Sequence, residues 1–228
     1  MNKTVLECKN LKQEFTVGGK TITVLKGISF SVNQGESIVI RGRSGAGKSI
    51  LLWLLCGLEQ PTSGEVLFEG QPLGSLTNSR LADLRHDKIG IIFQNFNLIA
   101  SWTALENVES ALLHSNLTMK ERRQKAAEIL AELGLGERLN NLPAELSIGE
   151  QQRVAVARTL INEPALVLAD EPTGDVDPET AREIIQMLKQ PVRERDASLL
   201  ITTHGNFPLK EADRILTLEN GLITSQER

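Results

Sequence analysis

The chain of 228 residues has little cysteine, only Cys8 and Cys56. Two cysteines exclude a disulfide framework and offer no metal-ligand spacing. Cys56 lies inside the apolar run ILLWLLCGL at 50–58 and reads as a small buried hydrophobe. Long hydrophobic stretches are also missing. That run falls far short of the ~18–20 residues of a spanning helix, and the polar start MNKTVLECKNLKQ lacks the apolar core of a secretory signal. The chain is therefore expected to be cytoplasmic, with any membrane segment supplied by a partner. Positive charge is not in excess either: 25 basic against 29 acidic residues give a net charge of −4. No nucleic-acid partner is expected from that balance. Glycine and proline are too few for disorder, while 40% hydrophobic and 24% charged residues are ordinary for a globular protein. The length slightly exceeds the ~100–200 residues of one domain, so one large domain with an inserted or appended subdomain is expected.

What is present begins with four short, nearly all-apolar runs: SIVI (37–40), IGIIF (89–93), ALVLA (165–169) and SLLIT (198–202). Runs of this kind are strands buried on both faces, as in a parallel sheet covered by helices, which makes the fold class α/β. TVLECKNL, TITVLKGISFSV and GEVLFEG mix β-branched with polar residues between glycine-containing turns, predicting a flanking antiparallel β portion. Residues 95–158 lack strand runs. There, Ala126, Ile129, Leu130 and Leu133 recur at helical spacing, behind a Thr118/Glu121 capping box. The expected organisation is a core of 1–94 and 159–228 interrupted by a helical subdomain at 95–158.

GRSGAGKS (42–49) fits G-x-x-x-x-G-K-[ST], following the strand SIVI and preceding an apolar helix. Gly42, Gly45 and Gly47 let the chain curl so that successive N–H groups, those of Arg43, Ser44 and Ala46 included, converge on phosphate oxygens. Lys48 would reach the β- and γ-phosphates and the Ser49 hydroxyl would ligate Mg²⁺. The pattern implies a P-loop NTPase core that binds a nucleoside triphosphate. ALVLADEP ends a strand in two carboxylates that face different ways. Asp170 suits a Mg²⁺ role, because hard cations take oxygen ligands. Glu171 either polarises an attacking water or caps the strand end.

ELSIGEQQR (145–153) is a second candidate anion cradle. Ser147 and Glu150 form a capping box ahead of a periodic helix, which explains those two residues but not Gly149, Gln151 and Gln152.

GRSGAGKS, Gln94 in IIFQN, LSIGEQQR, LVLADEPTGDVD and His204 in ITTH stand in the order and approximate spacing of the ATP-binding-cassette ATPases, and the resemblance covers essentially the whole chain. It implies an ATPase using ATP and Mg²⁺ as a head-to-tail homodimer, in which Ser147, Gly149 and Glu150 of one subunit close over the ATP of the other. Gln94 resembles the residue that meets Mg²⁺ and senses the transmembrane partner, Asp177 the aspartate that communicates across the dimer, and His204 the histidine touching the γ-phosphate. Phe15 stands where an aromatic stacks on adenine, or is a core phenylalanine. WTALENVESAL (102–112) and ADEPTGDVD resemble the branch with lipoprotein-releasing, MacB-type and FtsE-type subunits. That branch implies an integral membrane permease as partner, a position peripheral on the inner face of the membrane, and either export work or FtsE-like signalling without transport. Coiled-coil DNA-repair and tandem translation cassettes are not resembled. Residues 95–110 are the expected permease surface, with Trp102 and Leu98 either its anchors or fillers of the subdomain core. The sequence departs from the family at Ile148 in place of a glycine, at Ile50 in place of a threonine, and at Gly205 in place of an aspartate. Ile50, counted with the phosphate loop, forfeits a hydroxyl contact of ~0.5–1.5 kcal/mol.

Overall fold

The computed structural model describes residues 3–172, 178–204 and 212–227. Strands β1 (Thr4–Val17) and β2 (Lys20–Asn33) form a hairpin that turns at Gly18 and Gly19, both at positive φ. β3 (Ser37–Arg41) leads into helix α1 (Lys48–Leu55), followed by β4 (Ser63–Phe68), the short β5 (Gln71–Pro72) and α2 (Asn78–Asp87). β6 (Ile89–Ile92) then precedes three helices, α3 (Ala104–Glu109), α4 (Met119–Glu132) and α5 (Ile148–Leu160). β7 (Leu166–Asp170), α6 (Pro178–Glu194), β8 (Ser198–Thr203), β9 (Arg214–Glu219) and β10 (Leu222–Glu227) complete the order.

Two sheets result. The antiparallel one runs β2-β1-β4-β5, and the six-stranded one runs β10-β9-β3-β8-β7-β6, with only β10 antiparallel to its neighbour. The four apolar runs are its β3, β6, β7 and β8. Alternation along these strands feeds two cores. Ile38, Ile40, Leu166, Leu168 and Leu200 face α1 and the antiparallel sheet, while Val39, Val167, Ala169, Leu199 and Ile201 face the helices. β9 and β10 were not anticipated. They join through Asn220 and Gly221, both at positive φ, a two-residue hairpin turn.

α4 is capped by Thr118 and Glu121 as predicted, and buries Ala126, Ile129 and Leu130. The helical stretch shares its core with one face of the six-stranded sheet. α5 runs to Leu160, two residues past the boundary at 158, and packs on β6, where Thr159 Oγ1 donates to the Ile91 carbonyl at 3.2 Å. Both cysteines are buried, and burial pushes the Cys8 thiol up to about 12 and Cys56 up to about 11, which removes both as nucleophiles. Among the described residues, no helix is long and apolar enough to cross a membrane.

Candidate active site

Four parallel strands end along one edge of the sheet. β3 runs into residues 42–49, β6 into Gln94, β7 into Asp170 and Glu171, and β8 into His204. The crevice beyond the carboxyl ends of parallel strands is where α/β folds bind ligands.

The 42–49 loop is shaped by its glycines. A Cβ on Gly42 would stand 2.5 Å from the Leu218 carbonyl oxygen, a backbone atom that cannot step aside. Gly47 caps α1 at φ +99, and its Cβ would come within 2.9 Å of Val24 Cγ1 and 3.0 Å of Leu25 Cδ2. No side chain caps α1, so the N–H groups of its first turn remain for an anion. Ile50 follows the loop as the third residue of α1. Its side chain packs against the apolar core, leaving only a backbone N–H for phosphate. Contact of β2 with Gly47 also brings the β1–β2 hairpin beside the loop. Phe15 pairs with Ile22 there and is half-buried, outside the two apolar clusters.

Lys48 is 4% exposed, and its Nζ donates to the carbonyls of Gly42 (2.9 Å) and Arg43 (3.1 Å) and pairs with Glu171 Oε1 at 2.8 Å. The other carboxylate oxygen, Oε2, lies 2.5 Å from His204 Nδ1. Burial raises the Glu171 pKa, but the Lys48 hydrogen bond and charge, joined by His204, outweigh it and hold the carboxyl below its ordinary range. Glu171 has φ +46, a left-handed backbone for a non-glycine residue. Its N–H is held by Thr202, through the carbonyl at 3.1 Å and the hydroxyl at 3.2 Å. Thr202 Oγ1 also donates to Asp170 Oδ1 at 2.6 Å, so one β8 threonine fixes both acids. Thus Asp170, 8% exposed, points into the protein along β7 while Glu171 turns toward Lys48 and His204.

Ser147 caps α5: its Oγ accepts from Glu150 N at 3.2 Å, and Glu150 Oε2 accepts from Ser147 N at 2.8 Å. Arg138 Nε binds Glu150 Oε1 at 3.0 Å. Hydrogen bonds from Ser147, reinforced by Arg138, hold the Glu150 carboxyl down at about 2. Gln151 Nε2 reaches the carbonyls of Pro143 and Leu146 and fixes the approach to the cap. Gly149 faces open space, and Ile148 is 62% exposed.

Three residues not singled out as site residues join these parts. Thr202 is one. Gln152 Nε2 donates to the Pro172 carbonyl at 2.6 Å, and Arg158 donates to the carbonyls of Phe96 (2.6 Å) and Asn97 (2.8 Å) just beyond Gln94. Phe96 and Asn97 both have positive φ, so the arginine braces a strained turn. Among the described residues, the side chains of Gln94 and Ser49 make no hydrogen bond. Leu98 is half-buried against the core, and Trp102 is half-buried outside it. Asp177 and Gly205 lie outside the described residues.

The sequence profile of the ABC transporter family matches residues 25–174. The chain is also 41% identical, over 226 residues, to an ABC transporter ATP-binding protein of Thermotoga maritima, covering 99% of this chain and 96% of that one. The chain belongs to the ABC transporter family. Its fold is that of the ATP-binding cassette, and it is an ATPase. The cassette MJ0796, solved as a dimer in a post-hydrolysis state bound to ADP and Pi, superposes with a TM-score of 0.90 at 37% identity over 98% of each chain. A second dimeric structure of MJ0796, described as a bacterial ABC transporter cassette, gives the same values. The cassette cbiO1 of Clostridium perfringens, part of the cbiONQ transporter complex, gives a TM-score of 0.87 at 28% identity over 98% of this chain and 88% of that one.

Proposed function

We propose that this cassette is the ATPase subunit of a permease of the lipoprotein-releasing or MacB-like export type, held at the inner face of the membrane by that permease and working as a head-to-tail homodimer. One observation carries the dimer: the α5 cap is built and exposed, and among the described residues it is not engaged by the phosphate loop of its own chain. Ser147 and Ile148 make no hydrogen bond to residues 42–49 among the described residues, and the large apolar Ile148 side chain is left uncovered. A second copy would cover it and set the cap over the partner's phosphates. The dimeric state of MJ0796 supports this reading.

In the proposed site, the N–H groups of residues 43–50 and Lys48 bind the triphosphate, and Phe15 stacks on adenine. Ser49, Asp170 and Gln94 offer the hard oxygen donors that suit Mg²⁺, and these fit: among the described residues the Ser49 and Gln94 side chains carry no other hydrogen bond, and Asp170 spends one oxygen on Thr202. When bound, the cation would neutralise phosphate charge. Glu171 orients and polarises the attacking water once phosphate draws Lys48 off its carboxylate, His204 touches the γ-phosphate, and Asp177 signals across the dimer.

For the permease we assign the surface around Trp102. α3 continues into a turn at Ser110–Leu112, and Leu112 lines a cleft of about 690 Å³ with His86 and Asp87 of α2, and with His114. Co-purification from native membranes tests this. Trp102→Ala should lose an integral membrane partner that the wild-type cassette captures, while the isolated variant stays folded. Undiminished capture would remove Trp102 from the interface, and capture of no membrane protein by the wild type would refute the permease reading.

A further inference from the structure

Gln152 is a long polar side chain that is 1% exposed, and only half of its amide is satisfied. Its Nε2 donates to Pro172 O at 2.6 Å, whereas its Oε1 is buried without a hydrogen-bond partner among the described residues. A buried acceptor left unpaired is destabilising, and an apolar side chain of the same length would avoid that cost. As a helix-opening residue or a core filler, glutamine is therefore a poor choice here.

The carbonyl it holds explains the placement. Pro172 has no N–H, so that carbonyl is the residue's one backbone polar group by which a neighbour can anchor it. Pro172 directly follows Glu171, whose φ of +46 is a conformation that persists only where the surroundings enforce it. Thr202 of β8 enforces it from the N–H side. Gln152 of α5 grips the chain one peptide further on. The Glu171 carboxylate thus hangs between two anchors, one on the sheet and one on the helix whose first residue follows Ser147. Gln152 lies five positions along the chain from Ser147, roughly 7.5 Å of rigid helix. A shift of the cap therefore reaches the Pro172 carbonyl with little loss.

We propose that Gln152 is a positioning residue for hydrolysis: by holding the Pro172 carbonyl it sets where the Glu171 carboxylate sits, and it couples that carboxylate to movement of the α5 cap. The inference rests on the reading of Glu171 as the base. Gln152 lies outside the phosphate loop, so it affects the chemical step and not nucleotide binding.

The test compares Gln152→Leu and Gln152→Glu with the wild type, using ATP turnover, ATP affinity by calorimetry and denaturant unfolding. Gln152→Leu loses the donor and also the unpaired acceptor. It should unfold at the same or a higher denaturant concentration, keep its ATP affinity within about twofold, and lose ~10–100-fold in kcat, the scale of a small misplacement of a reacting group. Gln152→Glu tests the hydrogen bond itself. A buried carboxyl facing a carbonyl is kept protonated by desolvation and by its neighbour, and can then donate. That variant should regain kcat as pH falls, on a limb the wild type lacks. In a Glu171→Gln background, Gln152→Leu should lower the residual rate no further. Wild-type kcat in Gln152→Leu, or a kcat loss matched by lost stability with no such limb in Gln152→Glu, would overturn the proposal. Failure of the base reading shows separately, as undiminished turnover in Glu171→Gln alone.

Discussion

Glu171→Gln replaces a carboxylate whose two oxygens meet Lys48 Nζ at 2.8 Å and His204 Nδ1 at 2.5 Å. The amide has the same shape but no charge, and only one oxygen. It can keep the Lys48 contact as an acceptor, while its NH₂ faces the histidine. The Thr202 anchors act on the backbone and on Asp170 and are unaffected, so the fold should hold. Lys48 keeps the carbonyls of Gly42 and Arg43 and loses the anion that competes with phosphate, so ATP should bind as well as before or more tightly. Turnover should fall by the ~10²–10⁴-fold that a lost general base costs. At ~1.36 kcal/mol per decade this adds about 2.7–5.4 kcal/mol to the barrier. Steady-state phosphate release and single-turnover hydrolysis give the rate, and calorimetry gives the affinity. Wild-type turnover by a folded variant would refute the assignment and leave Glu171 as a structural partner of Lys48.

The remaining predictions concern binding and pH. Lys48→Ala removes a charged donor from the phosphate cradle and should weaken ATP binding by about 1.5–3 kcal/mol, roughly ten- to hundredfold in Kd; unchanged affinity by calorimetry would contradict the cradle. Glu150, held down at about 2, stabilises the fold fully above the ordinary carboxylate pKa, and that contribution disappears as pH falls toward 2. Wild type should therefore exceed Glu150→Gln in denaturant midpoint at pH 6, with the gap closing below about pH 4.5. A gap that stays constant to pH 2 would show that Arg138 and the cap do not act on the charged form.

The buried strands were legible because residues buried on both faces are apolar without alternation, as in SIVI and ALVLA. Two caps were readable, since Thr118 and Ser147 each lie within one turn of their glutamates. Length was harder. β1 continues to Val17 through Asn10 at φ +47 and shifts in register, which break the alternation after Leu11. α2 buries only Leu81 among polar residues, so periodicity does not mark it; its Thr77 cap is the one local sign. β9 and β10 carried a readable signal in their Asn-Gly turn. At the site, the glycine loop and the strand-end acids follow from local spacing. Thr202, Gln152 and Arg158 do not. Thr202 lies 32 residues from Asp170, Gln152 20 from Pro172 and Arg158 62 from Phe96, and such contacts exist only once β8 pairs with β7 and α5 packs on β6.

The central claim, that the α5 cap acts on the partner's nucleotide, is tested by mixing two defective subunits in a Glu171→Gln background. Ser147→Arg keeps the phosphate loop and ruins the cap, whereas Lys48→Ala does the reverse. ATP-dependent dimerisation is followed by sedimentation. Neither variant should dimerise alone, and the mixture should form a heterodimer with one intact composite site. Wild-type-like, ATP-driven dimerisation by Ser147→Arg alone would contradict the account and reduce Ser147 to the helix cap.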